Sequence, residues 1–243
     1  MSADDIFTKK NLFFYLGELA KEYRRLNGRK VKAEIILVGG AAVLSSYGFR
    51  DQTMDVDALI YASGSMKEAV NHIGDKYHLP NGWLNSDFRK SASYTDKLYA
   101  CSEYVCTKAN ILDIRTLRGE YLIAMKLASG RTYKKDLSDI VGILSEEKKA
   151  GKAIDFPMID KAVKELYGSW EKVNDYSRRV LEAALTKPDL EKQFELQRAE
   201  EQRSRETLRE IIQTKHSALK TADVNELIAE ARKIQKERRE NAP

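Results

Sequence analysis

The segment Glu34-Ile-Ile-Leu-Val-Gly-Gly40, followed within twenty residues by Asp55-Val-Asp57, constrains this chain more than any other stretch. A short β-branched apolar run ending in two glycines reads as a buried strand entering a tight turn. Ala41 to Tyr47 then reads as a short helix stopped by Gly48, and Met54-Asp-Val-Asp-Ala-Leu-Ile60 as a second strand. Each part has a chemical use. Gly39 and Gly40 lack a β-carbon, so a phosphate can approach the backbone closely. The helix that follows offers unpaired N–H groups and a positive dipole end to that phosphate. Alternate side chains of a strand share a face, which sets Asp55 and Asp57 side by side. Two adjacent carboxylates repel one another unless a cation intervenes, and hard oxygen ligands of this kind suit Mg2+ completed by waters and nucleotide phosphates.

Around this motif the pattern is mixed. Leu12, Leu16, Leu19, Tyr23 and Leu26 recur at helical spacing and stop at Gly28. Ser65 to Tyr77 reads as a helix with Met66, Ala69, Val70 and Ile73 on one side. Residues 80–108 have no legible strand pattern, Asn110 to Ile114 is a third strand candidate, and Glu120 to Ser129 and Tyr133 to Lys148 read as helices. After Pro157 the pattern is helical throughout. Gln197 to Glu206 has almost no apolar residue, which makes it either a solvated helix or a disordered segment. Asp223 and Glu226 fit a capping box for a last helix. The fold expected is α+β, with a small mixed sheet flanked by helices over residues 1–150 and an all-helical region with a charged tail over 151–243. At roughly 150 residues per domain, a length of 243 allows two such units.

Composition excludes several classes. Cys101 and Cys106 are the only cysteines, too few for a disulfide scaffold and natural as reduced thiols. With only His72, His78 and His216 available, no zinc site suggests itself. The first residues begin acidic and hold no long apolar run, so neither a signal peptide nor a membrane span is expected, and a cytoplasmic protein is. The net charge of +5 is compatible with phosphate-bearing ligands without requiring them. Tyr94, Tyr99 and Tyr104, interleaved with Arg89, Lys90, Lys97 and Lys108, read either as half-buried strand residues or as a surface that stacks on bases.

Gly39-Gly40 followed by Asp55-Val-Asp57 resembles the signature of the DNA polymerase β-like nucleotidyltransferase superfamily. More closely, the chain is similar to small bacterial nucleotidyltransferase-like proteins, including the AbiEii and MenT toxin groups. Thr53, just before the acidic pair, is similar to a threonine often found there. Lys126, Arg131, Asp136 and Asp139 resemble a downstream Lys…Arg…Asp-x-x-Asp motif. The resemblance covers roughly residues 30–145. It departs where the toxins' Gly-Ser becomes Gly39-Gly40, so that a phosphate-binding hydroxyl is absent. It implies a Mg2+-dependent transfer of a nucleotidyl group from an NTP to a hydroxyl of tRNA or of a protein, in a toxin–antitoxin or phage-defence setting. Asp55 and Asp57 would hold the metal, with Asp113 the best-placed third carboxylate. Gly39, Gly40, Thr53, Lys126 and Arg131 would meet the nucleotide, and Asp136 or Asp139 would be an additional catalytic or structural acid. Asp136 and Asp139 equally fit a purely local role at a helix start, where the dipole favours acids. The alternative function is a catalytically silent module of the same fold that binds a protein partner through its C-terminal helices.

Overall fold

The computed structural model describes residues 7–131, 134–187 and 189–214, with the side chains of 211–214 excepted. Thr8 opens helix α1 (Lys9–Asn27): its hydroxyl accepts from the Asn11 N–H while the Asn11 side chain accepts from the Thr8 N–H, a reciprocal cap. Leu12, Leu16, Leu19 and Tyr23 of α1 are fully buried. The chain then enters β1 (Ala33–Leu37), turns into α2 (Gly39–Ser46), and returns as β2 (Val56–Tyr61). Helix α3 (Ser65–Tyr77) buries Met66, Ala69, Val70 and Ile73, the four residues its spacing predicts.

The sheet has five strands in the order β3-β2-β1-β5-β4, with β3 at Leu84–Asn85, β4 at Ser102–Lys108 and β5 at Leu112–Leu117. Central β1 pairs antiparallel with β2 and parallel with β5. Its Ile35, Ile36 and Leu37 are fully buried, as is Val38, because a strand covered on both faces needs a continuous apolar run rather than an alternating one. The illegible stretch 80–108 holds the two-residue strand β3, two short 3-10 turns and β4, whose register slips between Tyr104 and Cys106. A slip of that kind breaks the period-2 pattern by which a strand is read.

Helix α4 (Gly119–Ser129) is buried along nearly its whole length, and α5 (Asp136–Lys149) packs against it. Asp155 caps α6 (Phe156–Tyr167), with Pro157 in its first turn, and Asn174 caps α7 (Asp175–Thr186). Ile159, Val163, Val180 and Leu181 of these helices join the same hydrophobic core as the sheet. The polar stretch 197–206 is neither loose nor wholly solvated. It lies within α8 (Leu190–Thr214), whose Glu201, Ser204 and Thr207 are buried where α8 crosses α5. The helix expected around Asp223 falls outside the described residues. Among the described residues no helix is long and apolar enough to cross a membrane.

Candidate active site

β1 ends where Val38 donates its N–H to the carbonyl of Asp57 (3.0 Å). This bond sets the Gly39-Gly40 turn against the start of β2. Gly39 has φ +57, a left-handed conformation that favours glycine, and a β-carbon there would sit 3.5 Å from Oδ2 of Asp57. The turn thus lies directly beside the carboxylate. β2 begins at Val56, two residues later than the strand expected from Met54, so Asp57 is inside the strand and Asp55 just before it. The two still act on each other: burial first, and then the charge of Asp55, push the Asp57 carboxyl above the ordinary carboxylate range. Neither carboxylate has a hydrogen bond or ion pair among the described residues. A half-buried carboxylate repelled by its neighbour is relieved by a cation, so the pair fits Mg2+.

Asp113 does not join them. It lies opposite Glu34 in the β1–β5 pairing, whereas Asp57 lies beside Val38. Four residues of β1 separate these levels, about 13 Å along the sheet. Asp113 instead accepts a hydrogen bond from the Thr107 hydroxyl. Among the described residues no group of three potential metal ligands occurs, so the acidic site is a pair.

The missing hydroxyl at position 40 has a steric explanation. A β-carbon on Gly40 would fall 2.6 Å from the Thr53 hydroxyl and 2.7 Å from an Arg50 guanidinium nitrogen. The space that a serine would occupy is filled by a hydroxyl and a cation from the loop between α2 and β2. Thr53 is buried and held by a two-bond bridge to Phe7 (2.7 and 2.8 Å). Arg50 was not singled out from the sequence, although it is the one cation between Gly40 and Asp55. Its loop is wedged in place by Phe49, whose ring packs against Gly142 of α5 and edge-on against Phe194 of α8.

Lys126 takes a different place from a phosphate ligand. It is 4% exposed, and its ammonium lies 3.0 Å from Asp136 and 2.8 Å from Asp139. Asp139 also takes the Arg50 guanidinium, and Asp136 takes that of Arg131 at 2.9 Å. Burial alone would push the Asp136 carboxyl up, but Lys126 and Arg131 outweigh it and hold it well below the usual range. Burial likewise opposes the Lys126 charge, and the two aspartates overcome it. The expected Lys…Arg…Asp-x-x-Asp cluster is therefore a closed ionic frame inside the protein. Arg131 is its open edge: its side chain is 38% exposed, and its charge and that of Lys134 act on Asp57.

A second missed residue supports this frame from behind. Glu201 of α8 accepts the N–H groups of Leu137 and Ser138 (both 3.0 Å) and the Ser138 hydroxyl (2.6 Å), capping the first turn of α5 from a distant part of the chain. Burial pushes the Glu201 carboxyl up to about 7. Of the interleaved aromatic stretch, Tyr99 and Tyr104 are exposed, and Arg89 lies over the rings of Tyr61 and Tyr94. Three of its cations are engaged within the protein: Lys90 with Asp87, Lys97 with the Glu165 carbonyl, and Lys108 over the Phe13 ring.

With the paired carboxylates, the glycine turn and the α2 N-terminus in one place, the comparison with known families is specific. A family model described as a nucleotidyltransferase of unknown function (DUF6036) matches residues 15–187. The chain belongs to this nucleotidyltransferase family. The matched residues run from within α1 through α7 and leave α8 outside. No curated protein and no solved structure matches the chain.

Proposed function

We propose that this member of the family transfers a nucleotidyl group from an NTP to a hydroxyl acceptor with Mg2+ held by Asp55 and Asp57. The observation that carries the reading is the position of the Gly39 turn beside the Asp57 carboxylate, at the point where β1 delivers the chain into α2. The metal would supply charge neutralisation between the carboxylates and the triphosphate. The protein's own residues do the positioning. The Gly39-Gly40 turn and the first N–H groups of α2 receive phosphate oxygens. Thr53 and Arg50 fill the side of the turn that a serine would take, and Arg131 and Lys134 present positive charge across from Asp57. Lys126, Asp136 and Asp139 fix Arg50 and Arg131 in direction, as positioning residues rather than phosphate contacts. The acceptor oxygen attacks the α-phosphorus in line, the bond to pyrophosphate breaks, and the hydroxyl proton leaves to solvent. Positioning and charge neutralisation account for most of the rate in such a site. In this reading residues 1–150 carry the chemistry and 151–243 form the helical region, with tRNA or a protein hydroxyl as acceptor.

The enclosure of Lys126 favours one second reading, a nucleotide-binding module without turnover, which would act through its C-terminal helices. Calorimetry with each NTP, with and without Mg2+, on wild type and Asp57→Ala, combined with transfer of α-labelled NTP to bulk RNA and protein, separates the two. Metal-dependent binding and label transfer, both lost in a folded Asp57→Ala, are expected. Binding without transfer to either pool supports the silent module. Binding that survives Asp57→Ala refutes the metal site.

A further inference from the structure

Where α8 crosses the start of α5, the two leave a cavity of about 500 Å³ lined by Lys135, Arg198, Arg205 and Arg209 together with Glu195, Glu201 and Glu206. None of the four cations forms an ion pair among the described residues, and Arg198 lies over the Phe194 ring, 5.5 Å from its centroid. Of the three acids in the lining, Glu201 is spent on the first turn of α5, Glu206 accepts the Gln202 amide at 3.0 Å, and Glu195 forms no ion pair with the four cations. The four cations line the same cavity. Burial, and then the guanidiniums of Arg50, Arg198 and Arg205, push the Lys135 ammonium down against the opposing charge of Asp139. Cations gathered in one cavity without ion pairs repel one another, and a visiting polyanion relieves that repulsion.

The arrangement also has a direction and a length. Arg198, Arg205 and Arg209 are seven and four residues apart, so they lie on one stripe of α8. The stripe runs about 16 Å at 1.5 Å per residue. From Lys135 the positive charge continues through Lys134 to Arg131, and the charges of these last two act on Asp57. That track is longer than a nucleotide's triphosphate and suits consecutive phosphates of a strand. Arg198, Arg205 and Arg209 on α8 lie outside the residues the family model matches, whereas Lys135 lies within them.

We propose that Lys135, Arg198, Arg205 and Arg209 bind the phosphate backbone of a nucleic-acid strand and lead its hydroxyl-bearing end toward Asp57. This rests on the transfer reading above and narrows its acceptor from a tRNA or protein hydroxyl to a nucleic acid.

The test is fluorescence anisotropy of a 5′-labelled RNA hairpin with a single-stranded 3′ end, titrated over a series of salt concentrations, without NTP or Mg2+. The proteins are full-length wild type and the double variant Arg198→Glu/Arg205→Glu, with Arg198→Gln/Arg205→Gln as a milder second variant. Helical circular dichroism confirms folding. Wild type is expected to bind with a steep salt dependence. The charge-reversed variant should bind at least tenfold more weakly at low salt, with the slope of log K against log salt reduced by roughly 2, one contact per arginine. Mg2+-dependent NTP binding should be unchanged in both variants. Equal RNA affinity and slope in wild type and variants overturns the proposal, as does a wild type that does not bind the hairpin. Loss of NTP binding with RNA binding intact would also overturn it, by assigning the cavity to the triphosphate. Because the readout needs neither metal nor turnover, failure of Asp57→Ala to affect NTP binding would sink the transfer reading and leave this result standing.

Discussion

Lys126 shares with Arg50 a single carboxylate oxygen, Oδ2 of Asp139. One cation comes from the buried helix α4 and the other from the loop beside Gly40, so the shared oxygen ties the glycine turn to the core. A buried ion pair contributes little compared with well-packed apolar residues, but removing one partner strands a charge. Lys126→Met keeps much of the volume and leaves Asp136 and Asp139 short of a cation. It is expected to cost about 3–5 kcal/mol in urea denaturation. The pH dependence should change as well. Asp136 ionises more readily folded than unfolded, so its contribution is present above the ordinary Asp pKa of ~3.9 and is lost as pH falls through the lower folded value. Wild type should therefore lose stability as the solution is acidified below that point, and Lys126→Met should lose less. A variant as stable as wild type would show that the network is not closed in solution.

Gly39 and Gly40 fail for different reasons when substituted. At Gly39 an added β-carbon meets Asp57 at ordinary contact distance, and the penalty comes from φ +57. Gly39→Ala should cost about 1–2 kcal/mol for the left-handed backbone, with the site otherwise retained. At Gly40 the backbone tolerates a side chain, but Thr53 and Arg50 stand at 2.6 and 2.7 Å. Gly40→Ser, which adds a hydroxyl at the turn, should weaken NTP binding in calorimetry instead of strengthening it. A gain in NTP affinity would show that Arg50 moves aside freely.

Much of this site was legible in the sequence, and what was not has a physical cause. Gly39, Gly40, Asp55 and Asp57 are close in the chain, and local spacing places them. The bounds of α3 and the faces of α1 follow from a 3.6-residue period that burial of Met66, Val70 and Leu16 makes visible. Lys126, Arg131, Asp136 and Asp139 were picked out as a group, yet sequence spacing could not say that they face each other rather than a nucleotide, since that depends on the packing of α4 on α5. Register defeated Asp113: a strand residue's level against a distant partner is set by pairing, not by its own neighbours. Glu201 was hidden most deeply. Hydrophobic periodicity finds apolar faces, and the face of α8 that meets α5 is polar, satisfied by a helix N-terminus some sixty residues earlier in the chain.

The ring of Phe49 occupies the room that a side chain at position 142 would need, with three ring carbons 2.6–2.7 Å from a β-carbon built there. Phe49 directly precedes Arg50, so this contact sets where the guanidinium points. Gly142→Ala should overpack the contact at a cost of about 1–3 kcal/mol. Thermal unfolding measures that loss. NTP calorimetry on the folded variant then checks the consequence, a weaker affinity as Arg50 is displaced from Asp139. An unchanged affinity in a destabilised variant would make Phe49 a packing residue alone.

Glu201 offers the sharpest test of how α8 is held. Its carboxylate receives three donors at the start of α5, and burial still raises it to about 7 from an ordinary value of 4.5. The folded state therefore binds this proton more tightly than the unfolded state. Stability is highest below the unfolded value, falls as pH rises through the window from 4.5 to about 7, and levels off above it. Glu201→Gln keeps the geometry: its amide oxygen can accept from Leu137 and Ser138, and its NH2 can donate to the Ser138 hydroxyl. The amide carries no charge to bury. At pH 5 the variant and wild type should unfold at nearly the same denaturant concentration. At pH 8 the variant should be the more stable, by up to about 3 kcal/mol at 1.36 kcal/mol per pKa unit. The opposite order at pH 8 would mean that the α5 N-terminus stabilises the ionised carboxylate beyond the cost of its burial, and that α8 is held by a charged cap instead of a neutral one.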